Sequence, residues 1–307
     1  MTNWLKQHVR QLIGIVFIGL MALFVWRNWP HLADSITVMR SVTLGDFWAA
    51  VPFVLLTFVL AAFSYGFLAF RKLRFRELFA VELAAAFVNR VVPSGLGGLG
   101  IHGDYLHKRR HTIAQATAVV SINNLIGATM HCLVLALVLA IGVRREFHFI
   151  GHISQGWVLL GLGLIAVALI AVPHIRDMLG RFLHNLFTSF ARYRHEPHRL
   201  VYAALSLLAL TLANLLILHL AARSFGVWFD APTLFVIYSA GVLLGAVVPT
   251  PGGLAGVEAG LAGGLVAYGV EADIAVAITL AFRLVTYWLP LLPSAVALVY
   301  CRKAKLI

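Results

Sequence analysis

Two groups of residues set in apolar sequence could do chemistry. The later group is Pro249, Pro251, Gly252, Gly253 and Glu258, with Arg283 and Tyr287 further along the chain. The earlier group is Arg90, Pro93, Gly97, Gly98, His102 and Asp104, with Asn123 and Asn124 beyond. The chemistry they offer is anion binding. Glycine N–H groups at the start of a helix and guanidinium groups both attract phosphate. An ionisable residue in an apolar span is a functional candidate whose partner has to be named. For Arg283 that partner is Glu258, which lies about 9 Å past Gly252 along a helix, while Arg283 reaches a similar depth on the following span. Arg90, one turn before Pro93, is placed either to meet an anionic headgroup or to snorkel to the interface. His102 and Asp104, with Asn124, offer a coupling proton or a satisfied polar contact. All these residues except Asn123 are read as substrate-binding candidates, with no catalytic or metal-binding set among them.

Hydrolytic classes lack their residues. Ser94 sits in Val92-Pro93-Ser94-Gly95 rather than in the Gly-x-Ser-Gly of a membrane serine protease, and no His-Glu-x-x-His is present. Of the aspartates, only Asp104 approaches membrane depth. His107 with His111, and His148 with His152, have the spacing of a metal pair but no accompanying ligands. The two cysteines, Cys132 and Cys301, form neither a disulfide framework nor a zinc cluster. No cofactor is expected.

The elements that must hold these residues are helices in lipid. Hydrophobic residues make up 61% of the 307 and charged ones 12%, with a mean hydropathy of +0.91. A soluble domain could not cover that much apolar surface. The net charge of +12 brackets apolar spans rather than forming a nucleic-acid face, so no nucleic-acid partner is expected. Runs near 12–29, 48–70, 113–142, 157–173, 199–222 and 274–300 are long enough to cross about 30 Å of hydrocarbon. Between them, 77–107 and 232–270 each contain two shorter apolar arms joined by a Pro/Gly break. Irregular backbone at membrane depth is tolerated where protein or a polar cavity satisfies it, which makes such breaks the mark of a transport site.

Reading both segments as re-entrant places 17 of the 24 Lys and Arg residues on the cytoplasmic side. It also makes the hairpins enter from opposite faces. The Val-Val-Pro and Gly-Gly-Leu triplets recur in both, as in an inverted repeat. The expected fold is therefore an all-α polytopic membrane protein of six transmembrane helices plus two re-entrant helical hairpins in an inverted-topology repeat. It forms one integral membrane domain over 1–307, with a first repeat at about 75–142, linking spans at about 143–222 and a second repeat at about 230–300. Within the linking part, the apolar stripe of 176–193 reads as an interfacial amphipathic helix.

The run from Pro249 to Leu261, Pro-Thr-Pro-Gly-Gly-Leu-Ala-Gly-Val-Glu-Ala-Gly-Leu, followed by Arg283-Leu-Val-Thr-Tyr-Trp-Leu-Pro290, resembles the lysylphosphatidylglycerol synthase transmembrane-region family. That family includes the flippase half of the multiple peptide resistance factor and stand-alone relatives. At the first break Pro93, Gly97, Gly98, Asp104, Tyr105 and Leu106 fit the pattern, with His102 and Gly103 intervening. The resemblance implies lipid translocation and no enzymatic activity, since aminoacyl transfer in the family belongs to a separate soluble domain. The expected partner is a membrane lipid with a phosphate-containing headgroup, with a homo-oligomer left open. The expected place is a bacterial inner membrane with both termini cytoplasmic. The alternative is a non-transporting member of a lipid or envelope-glycan biosynthesis complex, or, behind that, a membrane-embedded lipid-modifying enzyme.

Overall fold

The computed structural model of the protein describes residues 44–91, 96–141, 193–248, 250 and 252–307, and their regular structure is entirely helical. The expected spans at 12–29 and 157–173, the amphipathic helix up to its last residue, and Pro93, Pro249 and Pro251 lie outside these residues.

In chain order the helices are α1 (Leu44–Ala49), α2 (Val51–Leu68), α3 (Phe75–Val91), α4 (Leu96–Lys108), α5 (Ile113–Ile141), α6 (Pro197–Arg223), α7 (Ala231–Val247), α8 (Gly256–Ala267), α9 (Ala272–Arg283) and α10 (Leu291–Lys303). A π-helical segment, Leu284–Trp288, joins α9 to α10. Four stretches, Gly45–Leu68, Ile113–Ala140, Pro197–Arg223 and Ala272–Lys303, are long and apolar enough to cross a membrane. They coincide with four of the expected spans. Leu55, Leu205, Leu212, Leu292 and Val296 stand exposed on them, as suits helices whose surroundings are hydrocarbon.

The arms around the two breaks are shorter. Helices α3 and α4 have 17 and 13 residues, and α7 and α8 have 17 and 12. At the α-helical rise these are roughly 26, 20, 26 and 18 Å, each under a full crossing. Local chemistry sets their ends. Asp230 caps α7 by accepting from the Thr233 N–H at 3.3 Å, and Gly269, at φ +87°, lets the chain turn out of α8 with Val270 N–H donating to Leu265 O. The α7 and α8 arms touch backbone to backbone. A Cβ at Gly260 would strike the Ala240 carbonyl, so only glycine fits there.

Two cores occupy opposite ends of the bundle. One joins Ala50 and Val54 of α2 to Leu218 and Ala222 of α6, Leu234 of α7, Leu265 of α8 and Ile278 of α9. The other joins Leu68 of α2 to Leu78 of α3, Leu106 of α4, Val119 of α5, Ala203 of α6 and Cys301 of α10. Helices α2 and α6 are thus antiparallel, pinned where the Tyr193 hydroxyl donates to Leu68 O at 2.6 Å and Arg199 donates to Ala69 O at 2.9 Å. The α3–α4 hairpin has its open mouth at the second core and α7–α8 has its mouth at the first. Their tips point at each other. Arg71, Lys72, Arg74, Arg76, Lys108, Arg109, Arg110, Arg302 and Lys303 all flank the second core, whereas Arg223 flanks the first.

The last span departs from expectation in one respect. It is broken by the π segment, in which Leu289 N–H donates to Leu284 O at 2.8 Å. Pro290 and Pro293 supply no N–H, so a regular ladder cannot run through this stretch.

Candidate binding site at the hairpin junction

Asn89, near the end of α3, ties the two tips together. Its side-chain oxygen accepts from the Gly98 N–H at 2.6 Å, and its backbone carbonyl accepts from the Gly252 N–H at 3.1 Å. The first bond closes the α3–α4 tip on itself. The second joins it to the other hairpin.

The last span supplies the third side of the junction. Arg283, whose side chain is 9% exposed, donates from Nε to Glu258 Oε1 at 2.7 Å and from a terminal nitrogen to Gly252 O at 3.2 Å. Arg90 donates to Thr286 O at 3.0 Å. Pro290, four residues on from Thr286, has no N–H for that carbonyl, and the Arg90 guanidinium takes the place of the missing donor. Tyr287 lies between the cations: the Arg283 guanidinium is 4.4 Å and that of Arg90 5.3 Å from its ring centre. The Tyr287 hydroxyl also donates to Arg90 O at 3.4 Å. Gly252, at φ +61°, is pressed against the same ring, leaving no space for a Cβ.

These groups surround a cavity of about 340 Å³, lined by Asn89, Arg90, Asn214, Tyr238, Gly252, Arg283, Thr286 and Tyr287 among others. Two guanidiniums and one carboxylate leave an excess of positive charge. Arg90 Nε and Glu258 Oε2 are buried with no hydrogen-bond partner among the described residues, so each retains capacity for a polar ligand. The arrangement suits an anion that brings several acceptor oxygens.

The model of the family described as the lysylphosphatidylglycerol synthase TM region matches residues 11–294, a range that includes both hairpins and the π segment. The chain belongs to that family. No curated protein matches the chain. The family's transmembrane region is a membrane-embedded domain, in keeping with the apolar helices described above.

Of the residues expected at the site, Arg90, Gly252, Glu258, Arg283 and Tyr287 meet at the junction. Gly98 and Gly253 sit at the tips, but their N–H groups are not free as expected: Gly98 donates to Asn89, Gly252 to Asn89 O and Gly253 to Thr250 O. These tip donors are taken up within and between the two hairpins, so the groups in the junction best able to take an anion are the guanidiniums. Gly97 does not line the cavity. The polar residues of α4 also go elsewhere. His102 pairs with Glu82 inside its own hairpin. Asp104 is exposed and pairs with Lys108 one turn on, at 3.3 Å. Asn124 is exposed, donating to Val120 O of its own helix. His107 and His111 turn Nδ1 to the backbone carbonyls of His111 and Leu106. Sequence reasoning missed Asn89, Asn214, Tyr238 and Glu82, which carry no spacing signal.

Proposed function

We propose that this protein moves a lipid with an anionic, phosphate-containing headgroup between leaflets, the headgroup passing through the junction cavity while the acyl chains stay in the bilayer. On this reading the two hairpins are re-entrant and related as an inverted repeat. The end carrying the cations of the α2–α3 and α4–α5 turns faces the cytoplasm of a bacterial inner membrane, and the protein performs no chemistry on its lipid. The observation that carries the reading is the tip-to-tip meeting of two opposed hairpins around Arg90 and Arg283. The cavity's polar groups are guanidiniums, amides, phenols and a threonine hydroxyl, which bind and orient rather than transfer protons or attack.

The geometry gives the passage a sequence of events. An arriving phosphate competes with Glu258 and Gly252 O for Arg283, and with Thr286 O for Arg90. These contacts hold the last span to the two tips, so exchanging them for the headgroup loosens the junction. The Asn89–Gly252 backbone bond reseals it when the headgroup leaves. A second cavity at the basic end, about 480 Å³ and lined by Arg71, Lys72, Arg74 and Arg110 beside a Glu77–Arg109 ion pair, supports a route on which anionic lipid gathers before entry.

The test is a proteoliposome assay with fluorescent phospholipids, scored by loss of leaflet-protected signal. Wild type is expected to move the anionic probe. Arg90→Gln is expected to abolish that movement, and Arg283→Lys to retain part of it as a point charge without the planar fork. Folded wild type that moves none of a panel of anionic, zwitterionic, cationic and isoprenoid lipids overturns the reading in favour of a structural partner in a lipid-synthesis complex.

A further inference from the structure

The first hairpin holds a buried acid and imidazole that the junction does not use. His102 has both ring nitrogens engaged: Nδ1 is 2.8 Å from Gly98 O and Nε2 is 2.9 Å from Glu82 Oε1. The ring stacks on Tyr65 at 4.0 Å with 8° between the planes. The two side chains are 7% and 11% exposed.

Counting hydrogens shows what this arrangement requires. A backbone carbonyl only accepts, so Nδ1 carries a hydrogen. One further proton then has to lie between Nε2 and Oε1, on the ring as an imidazolium facing a carboxylate or on the acid facing a neutral ring. Remove it, and two lone pairs oppose each other at hydrogen-bond distance on two nearly buried side chains. The ring can relieve this by moving its one hydrogen to Nε2, which gives up Gly98 O, or by swinging away from Glu82. Losing the proton therefore breaks one of the two bonds.

We propose that Glu82 and His102 form a proton-binding site that couples lipid movement to a proton gradient. This rests on the transport reading above, because the proton acts on the hairpin tip that forms the junction. From His102 a continuous set of bonds runs to the junction: Gly98 O accepts from Nδ1, Gly98 N–H donates to the Asn89 side chain, Asn89 O accepts from Gly252 N–H, and Gly252 O accepts from Arg283. A proton released at Glu82–His102 loosens Gly98 at the first turn of α4 and with it the Asn89 contact to the second hairpin. A proton bound restores the tie.

The surroundings let this pair act on its own. Helix α2 brings the Tyr65 ring and Ser64, whose hydroxyl donates to Asn123 Oδ1 at 2.8 Å, and α5 brings Asn123 and Asn124 beside the Tyr65 hydroxyl. On the hairpin itself Glu77 is held by Arg109 and Tyr105 at the mouth, and Asp104 by Lys108. Helix α10, packed along α3, has no charged side chain from Leu291 to Tyr300, and its Cys301 is buried with Leu78 and Val81. Among the described residues no other charged group bonds to the pair.

The first measurement uses the full chain in proteoliposomes with the fluorescent anionic phospholipid, at equal pH and under a one-unit gradient of either sense. One coupled proton lets such a gradient displace the final distribution by up to about tenfold. Wild type is expected to give an uneven distribution that reverses with the gradient, and His102→Gln and Glu82→Gln an even one. Movement to an even distribution under both gradients leaves transport standing and overturns the proton site; so does a variant that keeps the wild-type response. A second measurement needs no transport. With ¹⁵N-labelled histidine and backbone, the wild-type protein in lipid is titrated by NMR over the range in which it stays folded, the His102 signal being identified by its loss in His102→Gln. His102 is expected to change protonation, with the Gly98 amide moving in the same step. A His102 that keeps one state throughout, or that titrates with Gly98 unmoved, overturns the proposal whether or not any lipid moves.

Discussion

The two hairpins are built on the same Pro/Gly pattern and use their polar residues in opposite ways. Glu258, in the first turn of α8, reaches out of its hairpin to Arg283 on the last span. His102 of α4 reaches back to Glu82 on the other arm of its own hairpin. The second hairpin is thus fastened to its neighbour by a pair of opposite charges, whereas the first is fastened to itself. What the first hairpin gives the junction comes from the end of α3, through Asn89 and Arg90. Repetition of a backbone break does not carry repetition of the chemistry beside it. The break sets where a tip lies, and the neighbouring helix decides which side chain finds a partner.

The largest effect should come from separating the charges of the second hairpin. Arg283→Met leaves Glu258 in the junction without its cation, and Glu258→Gln leaves Arg283 with only a carbonyl and weaker amide acceptors. Each should lower stability by about 3–5 kcal/mol, and the double variant by less than the sum. Thermal unfolding of the three proteins in lipid nanodiscs measures this. Strict additivity would mean that Glu258 and Arg283 do not act as a pair, and the contrast between the charged pairs of the two hairpins would be lost.

A smaller loss is expected at the knot between the tips. Asn89→Ala removes the acceptor of the Gly98 N–H and leaves that buried donor unpaired, at a cost of about 1–3 kcal/mol. Asn89→Asp keeps an acceptor and should recover part of it. Hydrogen exchange at the Gly98 amide reports the same bond directly: it should quicken in the alanine variant and stay slow in the aspartate one. Unchanged exchange in the alanine variant would detach Asn89 from the tip.

Span length and the two breaks were legible because they are local. A helix that must cross hydrocarbon needs a long apolar run, and the expected 113–142 and 199–222 differ from Ile113–Ile141 and Pro197–Arg223 by a few end residues. The Glu258–Arg283 pair was legible too, since counting residues along two helices from a known tip gives similar depths. Asn89 was not, because one asparagine in an apolar arm has no period and finds its partners only when two remote tips meet. Glu82 was hidden for a related reason: it follows Arg74, Arg76 and Glu77 and reads as the end of that charged flank. The π segment had a signal in Pro290 and Pro293, whose missing N–H groups leave carbonyls to be satisfied from elsewhere. Asp104 also had one. Lys108 stands four residues on, the spacing at which helical charges pair, and that competes with any inward role.

The smallest effect sharpens the comparison from the side of the first hairpin. The Asp104 and Lys108 side chains are 47% and 38% exposed, so their attraction is screened and holding two flexible chains together offsets part of it. An exposed pair of this kind contributes at most about 1 kcal/mol. Asp104→Asn should therefore shift unfolding only slightly and leave anionic-lipid movement near the wild-type rate, in contrast to Arg90→Gln on the facing arm. Raised salt should narrow even that small shift, because it screens the wild-type pair and not the variant. A collapse of lipid movement in Asp104→Asn, with the protein still folded, would bring α4 back to the passage and make the two hairpins chemically alike after all.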